Sequence, residues 1–117
     1  MLDDVRVEGF RSLTSRAERD AVLLELARER ARLDAVEAAI IDHAATTRSH
    51  LLDGHHTVGA WVMAATNCSR SDAVRKVELA ATIHDVADVG EHLYDGDLGS
   101  SQARLITGLH ERQHHAP

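Results

Sequence analysis

The residues with the clearest chemical potential lie near the end of the sequence, where residues 110 to 114 read HERQH. On a helix, His110 and His114 of this H-E-x-x-H pattern would lie one turn apart on one face, as in zinc metalloproteases. A catalytic zinc needs a third protein ligand, and His115, the one candidate that follows, would point about 100° away. We therefore expect no catalysis here, and at most adventitious zinc or nickel binding by His110, His114 and His115.

A run of acidic residues precedes this motif, because residues 83 to 97 (IHDVADVGEHLYDGD) contain no Lys or Arg. Their carboxylates could bind a divalent cation, but the spacing matches no compact calcium loop. A solvated helix face with acids in its first turn explains the run better. A metal-dependent hydrolase would require this run and HERQH to meet in space. The acidic residues are Asp85, Asp88, Glu91, Asp95 and Asp97.

A third candidate is the stretch AATNCSRSDAVRKV, residues 64 to 77. Asn67 tolerates the left-handed conformation that ends many helices, and Ser69 with Asp72 forms an S-x-x-D capping box that opens the next helix. The pattern predicts a helix-turn-helix-like pair, in which Ala73, Val74 and Val77 face inward. Such a pair can place its second helix in a DNA major groove.

The outer side of this second helix is the most basic part of the chain and carries its only lysine. Basic side chains there could contact phosphates or guanine edges. The alternative is an ordinary helical hairpin with a solvated face, since Asp72 and Glu78 dilute the positive charge. The nucleic-acid contacts that we expect are Arg70, Ser71, Arg75, Lys76 and Arg104.

The elements that must position these residues are predicted to be helices only. Aromatic residues are scarce, so a core must be built from Ala, Leu, Val and Ile, and the one proline is Pro117. We expect a single all-α domain over residues 1–117, with a loose arm at 1–14, a long helix at 15–47 and a compact helical region at 53–112. Shorter helices are predicted at 57–66, 70–83, 85–94 and 100–112, after a connector at 49–56 with an Asp53-Gly54 turn.

The long helix carries a stripe of large apolar residues at heptad-like spacing. The stripe predicts either an amphipathic helix packed on its own domain or a coiled-coil arm that forms a homodimer, although Glu29 at a core-like position disfavours the second. The residues expected at a dimer interface are Val22, Leu26, Leu33, Val36 and Ile40.

Composition narrows the classes of partner. The net charge of −6 disfavours a protein that coats nucleic acid generally, but permits a local basic patch. One cysteine, Cys68, excludes an internal disulfide, and no apolar segment is long enough for a signal peptide or a membrane span. We expect a cytoplasmic protein with no membrane partner, no cofactor and no evident small-molecule substrate.

Several separated motifs resemble the actinobacterial "13E12 repeat" family, domain-of-unknown-function family 222, over residues 53 to 109. Asn67 departs from the usual glycine, and Gly99 stands where a serine would cap the last helix. The motifs that carry the resemblance are Asp53-Gly54, Ala60-Trp61, Thr66, Ser69-Arg70, Ala73, Gly96, Leu98 and Gln102-Ala103-Arg104.

This resemblance implies a helical domain that usually precedes an HNH endonuclease domain, often in proteins linked to mobile elements. The leading hypothesis is thus a non-catalytic helical module that binds DNA or positions a nuclease. The alternative is a homodimeric interaction module that acts through the long helix and has no role with nucleic acid.

Overall fold

The computed structural model describes the backbone of residues 15–115 and the side chains of residues 15–113. This part of the chain forms helices and no strands, which confirms the all-α prediction. The predicted arm at 1–14 lies outside it. The helices are α1 (Arg16–Thr47), α2 (Ser49–Leu52), α3 (Val58–Thr66), α4 (Arg70–Asp85), α5 (Ala87–Asp95) and α6 (Ser100–His115).

The ends of the shorter helices follow the predicted caps. The Thr57 hydroxyl accepts a hydrogen bond from the backbone N–H of Ala60 at 3.0 Å and so opens α3. Ser69 accepts in the same way from the N–H of Asp72 at 3.1 Å and opens α4. Asn67 ends α3 in the left-handed conformation, with φ of 54°. These contacts confirm the predicted turn between α3 and α4.

Helix α1 begins at the Ser15 cap, whose hydroxyl accepts from the N–H of Glu18, and is about 48 Å long. It ends at Arg48, a residue in the left-handed conformation whose N–H bonds the carbonyls of the last turn. The one-turn helix α2 follows at once. The connector predicted at 49–56 was therefore only partly right, because its first half is helical.

Helix α1 packs mainly against α4 and α5, and four of its five buried side chains are alanines. Alanine lets neighbouring helices approach closely, because no long side chain separates the backbones. The buried positions recur every three or four residues and form one face. They are Ala31, Ala35, Ala38, Ile41 and Ala44.

The core consists of two clusters along α1. The first gathers buried residues of α1, α3 and α4 around Val62, and the second gathers residues of α1, α5 and α6 around Leu93. Leu79 and Ile83 of α4 contact both clusters and join them. Gly90 of α5 faces Ile83 so closely that a β-carbon there would lie 2.8 Å from the Ile83 Cγ2 atom.

The inward face predicted for α4 is correct in part. Ala73 is fully buried and Val77 is half-buried, but Val74 is 47% exposed, which makes the prediction wrong for Val74. Val74 lies about 100° from Ala73 around the helix, so it points away from the buried side that Ala73 occupies. It instead lines an open groove between α3 and α4.

Candidate interaction surface

Leu33, Val36 and Ile40 lie on the side of α1 that faces away from the core, whereas Ile41 is buried in the core. Ala31, Ala35 and Ala38 sit roughly 140° to 160° around the helix from Leu33, since successive residues are rotated by about 100°. The alanines therefore bury one side while the predicted apolar stripe stays outside. We name this stripe the α1 outer face; it comprises Val22, Leu26, Leu33, Val36 and Ile40.

Exposure along the α1 outer face is high in its second half. Leu33 is 63% exposed, Ile40 is 57% exposed and Val36 is 43% exposed. Val22 and Leu26, further towards the N-terminus, are half-buried. Helix α1 does pack on its own domain, as one of the two predictions required, but mainly through its alanines and not through Leu33, Val36 and Ile40.

The apolar surface continues from the α1 outer face into a groove beside α5. This open groove of about 760 Å³ is lined by Val36 and Ile40 on one side and by Tyr94 on the other. The guanidinium of Arg32 lies 5.2 Å from the centre of the Tyr94 ring, a distance suited to a cation–π contact. Arg32 thereby covers part of the ring and marks the edge of the apolar surface.

The predicted nucleic-acid contacts divide between two places. Arg75, Lys76 and Arg104 come together in a cleft of about 460 Å³ between α1, α4 and α6. Arg70 and Ser71 are exposed at the start of α4, and Arg70 lines the separate groove beside α3. The structure thus brings together three of the five predicted residues.

Carboxylates of α1 and α4 neutralise the basic side chains of this cleft. The Lys76 ammonium donates a hydrogen bond of 2.9 Å to Glu37, and this bond raises the pKa of Lys76 above its usual 10.5. Arg75 lies 3.5 Å from Asp72, and Asp34 accepts a 2.6 Å hydrogen bond from the Ser100 hydroxyl. The cleft is lined by three cations and four carboxylates, which are Asp34, Glu37, Asp72 and Glu78.

The two candidate metal motifs meet at one contact. The Nε2 atom of His110 in HERQH lies 2.7 Å from a carboxylate oxygen of Asp85, the first residue of the acidic run. Its Nδ1 atom lies 4.0 Å from a carboxylate oxygen of Glu111. Within the described residues, no group of three or more His, Cys, Asp or Glu side chains could hold a metal ion. The side chains of His114 and His115 fall outside that part.

Sequence reasoning missed Glu37 and Asp34, the α1 carboxylates that bind α4 and α6. A usable signal was present, since both flank the alanine positions that face the domain. Polar residues beside a buried stripe commonly pair with residues on the neighbouring helix. Their partners, Lys76 and Ser100, are 39 and 66 positions away, so no local pattern could identify them.

In residues 15–115, one long helix packs against five shorter ones, and this architecture places the protein in the all-α class. The sequence profile of a family described as "Domain of unknown function (DUF222)" matches residues 20–115, and the chain belongs to this family. The match includes α1 from residue 20 onwards, whereas the sequence motifs alone covered only residues 53 to 109. No curated protein and no solved structure matches the chain.

None of the helices within residues 15–115 combines the length and the apolar character that a bilayer crossing requires. The long helix α1 carries many charged residues along its length.

Proposed function

We propose that this protein is a non-catalytic interaction module that associates with a second copy of itself through the α1 outer face. The observation that carries the proposal is that Leu33, Val36 and Ile40 are exposed while smaller residues pack the domain. Contiguous apolar patches on a protein surface commonly mark sites of association.

A second copy is the occupant that the residue pattern fits best. The residues of the α1 outer face are spaced by four, seven, three and four, which is the heptad spacing of helices that pair with each other, with Glu29 at the missing core position. Charged residues of both signs, such as Glu25 and Arg30, flank this face, so two copies offer each other complementary edges. The same helix thus supplies both halves of the contact.

Replacing Leu33 with aspartate tests this proposal. Leu33→Asp places a charge in the middle of the α1 outer face and should shift a dimer to monomers, by at least about tenfold in dissociation constant. Sedimentation equilibrium and light scattering measure the mass over a range of protein concentration. Leu105→Asp is the matched control, because Leu105 is a 71% exposed leucine on α6.

Two results would overturn self-association through this face. The first is an unchanged mass for Leu33→Asp when the parent chain is dimeric. The second is a parent chain that remains monomeric at concentrations of several hundred micromolar. Circular dichroism of both variants checks that helical content is retained, so that a lost dimer is not mistaken for a lost fold.

DNA contact, or the positioning of a nuclease domain on DNA, is the second candidate function. It is favoured by the convergence of Arg75 and Arg104 from different helices on one cleft, with both side chains exposed. The four carboxylates of that cleft weaken it. We expect any contact to be local and to weaken as salt is raised.

The DNA candidate is tested by Arg75→Glu combined with Arg104→Glu. These two substitutions leave the Lys76–Glu37 hydrogen bond intact, whereas Lys76→Glu would place a carboxylate beside Glu37 and repel it. Fluorescence anisotropy with duplex and single-stranded DNA, at low and near-physiological salt, should show a loss of at least about tenfold in affinity. Arg112→Glu, another exposed arginine, is the control. Equal binding by parent and double variant would rule out this cleft.

A further inference from the structure

We infer that the two copies pair in parallel and in register along α1. This inference rests on the proposed self-association and adds a direction to it. A parallel pair places each α1 residue opposite the same residue of the partner, whereas an antiparallel pair places the N-terminal end of one α1 beside the C-terminal end of the other.

The heptad positions of α1 follow from the α1 outer face. Leu26, Leu33 and Ile40 recur every seven residues and occupy one core position, called a. Val22 and Val36 belong to the other core position, called d. Glu29 falls on d between them and is half-buried within its own chain.

The residues that flank this core choose the direction. In a parallel pair, each g residue lies beside the e residue of the following heptad on the partner. Here g positions hold Glu25 and Arg32, and the matching e positions hold Arg30 and Glu37. Both combinations, Glu25 with Arg30 and Arg32 with Glu37, join opposite charges, and twofold symmetry repeats each of them.

The antiparallel register that overlaps the whole α1 outer face has the opposite electrostatics. When Val22 lies opposite Ile40 of the other copy, Arg30 faces its own counterpart and Arg32 does the same. Like charges across a helix pair disfavour that arrangement. The charges along α1 therefore favour the parallel direction.

Contacts within one chain show which of these ion pairs matters most. Arg32 stacks on Tyr94 and Glu37 binds Lys76, so this pair would share its side chains with existing partners. Glu25 and Arg30 are both exposed on α1. The Glu25–Arg30 pair between copies is thus the main determinant of direction.

Glu29 limits the strength of the parallel pair, because two Glu29 carboxylates meet in one core layer. Two like charges in a partly dehydrated layer oppose association. Replacing Glu29 with leucine should tighten the parallel dimer by at least about tenfold. A dissociation constant that stays the same or rises would contradict the proposed layer.

Disulfide crosslinking distinguishes the two directions. In a Cys68→Ser background, Val22→Cys and Ile40→Cys are made as separate chains, one of them isotopically labelled. The two positions are about 27 Å apart along α1, whereas a disulfide needs Cα atoms within about 7 Å. A parallel pair gives crosslinks within each variant alone and no crosslink between the two variants.

The other outcomes identify what failed. Crosslinks only between Val22→Cys and Ile40→Cys would overturn the parallel direction while keeping self-association through α1. No crosslink in any sample, with a dimeric parent chain, would overturn both the in-register parallel pair and the antiparallel pair that places Val22 opposite Ile40.

Charge reversal gives an independent readout of direction. Glu25→Arg and Arg30→Glu should each weaken the dimer by roughly threefold to tenfold, and the double variant should restore it, as expected for a direct ion pair. Additive weakening in the double variant would exclude the contact between these two residues.

Discussion

At the scale of single residues, side-chain hydrogen bonds tie α1 to the neighbouring helices α4 and α6. Glu37 accepts from the Lys76 ammonium of α4, and Asp34 accepts from the Ser100 hydroxyl of α6. An alanine-rich contact surface has few large side chains that interlock, so it leaves helices freer to slide than a leucine-rich one. Directional hydrogen bonds at its border oppose that sliding.

The Lys76–Glu37 hydrogen bond should make stability depend on pH in the alkaline range. Because Glu37 raises the pKa of Lys76 above 10.5 in the folded chain, the stabilisation is complete below 10.5 and is lost as pH rises through the folded pKa. Glu37→Gln should lower the free energy of unfolding by about 1 kcal/mol near pH 8, and the gap should narrow near pH 12.

Urea unfolding of the parent chain and Glu37→Gln at both pH values measures this gap. Glu91→Gln, which changes an exposed carboxylate on α5, serves as the control and should show no gap at either pH. A gap of equal size at both pH values would mean that the Lys76 charge does not contribute.

At the scale of elements, helix ends were predictable and buried faces were only partly so. The Thr57, Asn67 and Ser69 caps act within four residues of chain, so a local pattern contains all the information they need. The buried side of α1 depends on helices that are distant in sequence. Leu33 is larger and more apolar than Ala35, and nothing local shows that α4 and α5 approach the alanine side.

The same distinction between local and long-range information explains which parts of the candidate site could be predicted. The stripe on α1 was predictable as a set of residues because its spacing is regular. The cleft was not, since Arg104 reaches Arg75 only through the packing of α6 on α4. The carboxylates that neutralise this cleft come partly from α1, far from the basic stretch in sequence.

A pair of glycine substitutions tests the termination of α5. Gly96 ends α5 with φ of 85°, and a β-carbon there would lie 3.1 Å from the Arg28 Cγ atom. Gly96→Ala should therefore cost about 1 to 2 kcal/mol of stability. Gly108→Ala is the control, because its added methyl meets nothing within 4 Å inside α6, and it should stabilise by up to about 1 kcal/mol.

Thermal unfolding followed by circular dichroism measures both glycine variants. We expect a lower melting temperature for Gly96→Ala and a higher one for Gly108→Ala. A Gly96→Ala variant as stable as its parent would mean that the end of α5 adjusts its backbone freely.

At the scale of the whole molecule, the shape is elongated. The described chain measures 52 × 31 × 21 Å with a radius of gyration of 16.9 Å, against about 13 Å for a compact domain of this size. The long axis is comparable to the length of α1, on which the two core clusters lie one after the other. Most of the buried apolar residues in the described part of the chain are alanines, so stability depends on few large buried side chains.

Leu93 is the largest of these buried side chains, with no exposed surface. Leu93→Ala should destabilise the fold by about 2 to 5 kcal/mol, because it removes buried methyl groups and leaves a cavity. Leu105→Ala should change stability by no more than about 0.5 kcal/mol, since Leu105 is exposed. Urea unfolding measures both, and similar losses for the two would contradict the proposed core.

The separation of the two faces of α1 has a consequence for sequence drift. If variants were selected only for folding, Ala31, Ala35 and Ala38 would accept little beyond glycine or serine, while Leu33 and Ile40 would accept most polar residues. Selection for function as well would restrict the residues accepted at positions 33 and 40, and would leave the residues accepted at the three alanine positions unchanged. Comparing these two tolerance maps would therefore reveal whether Leu33 and Ile40 serve a function beyond folding, even before any partner is isolated.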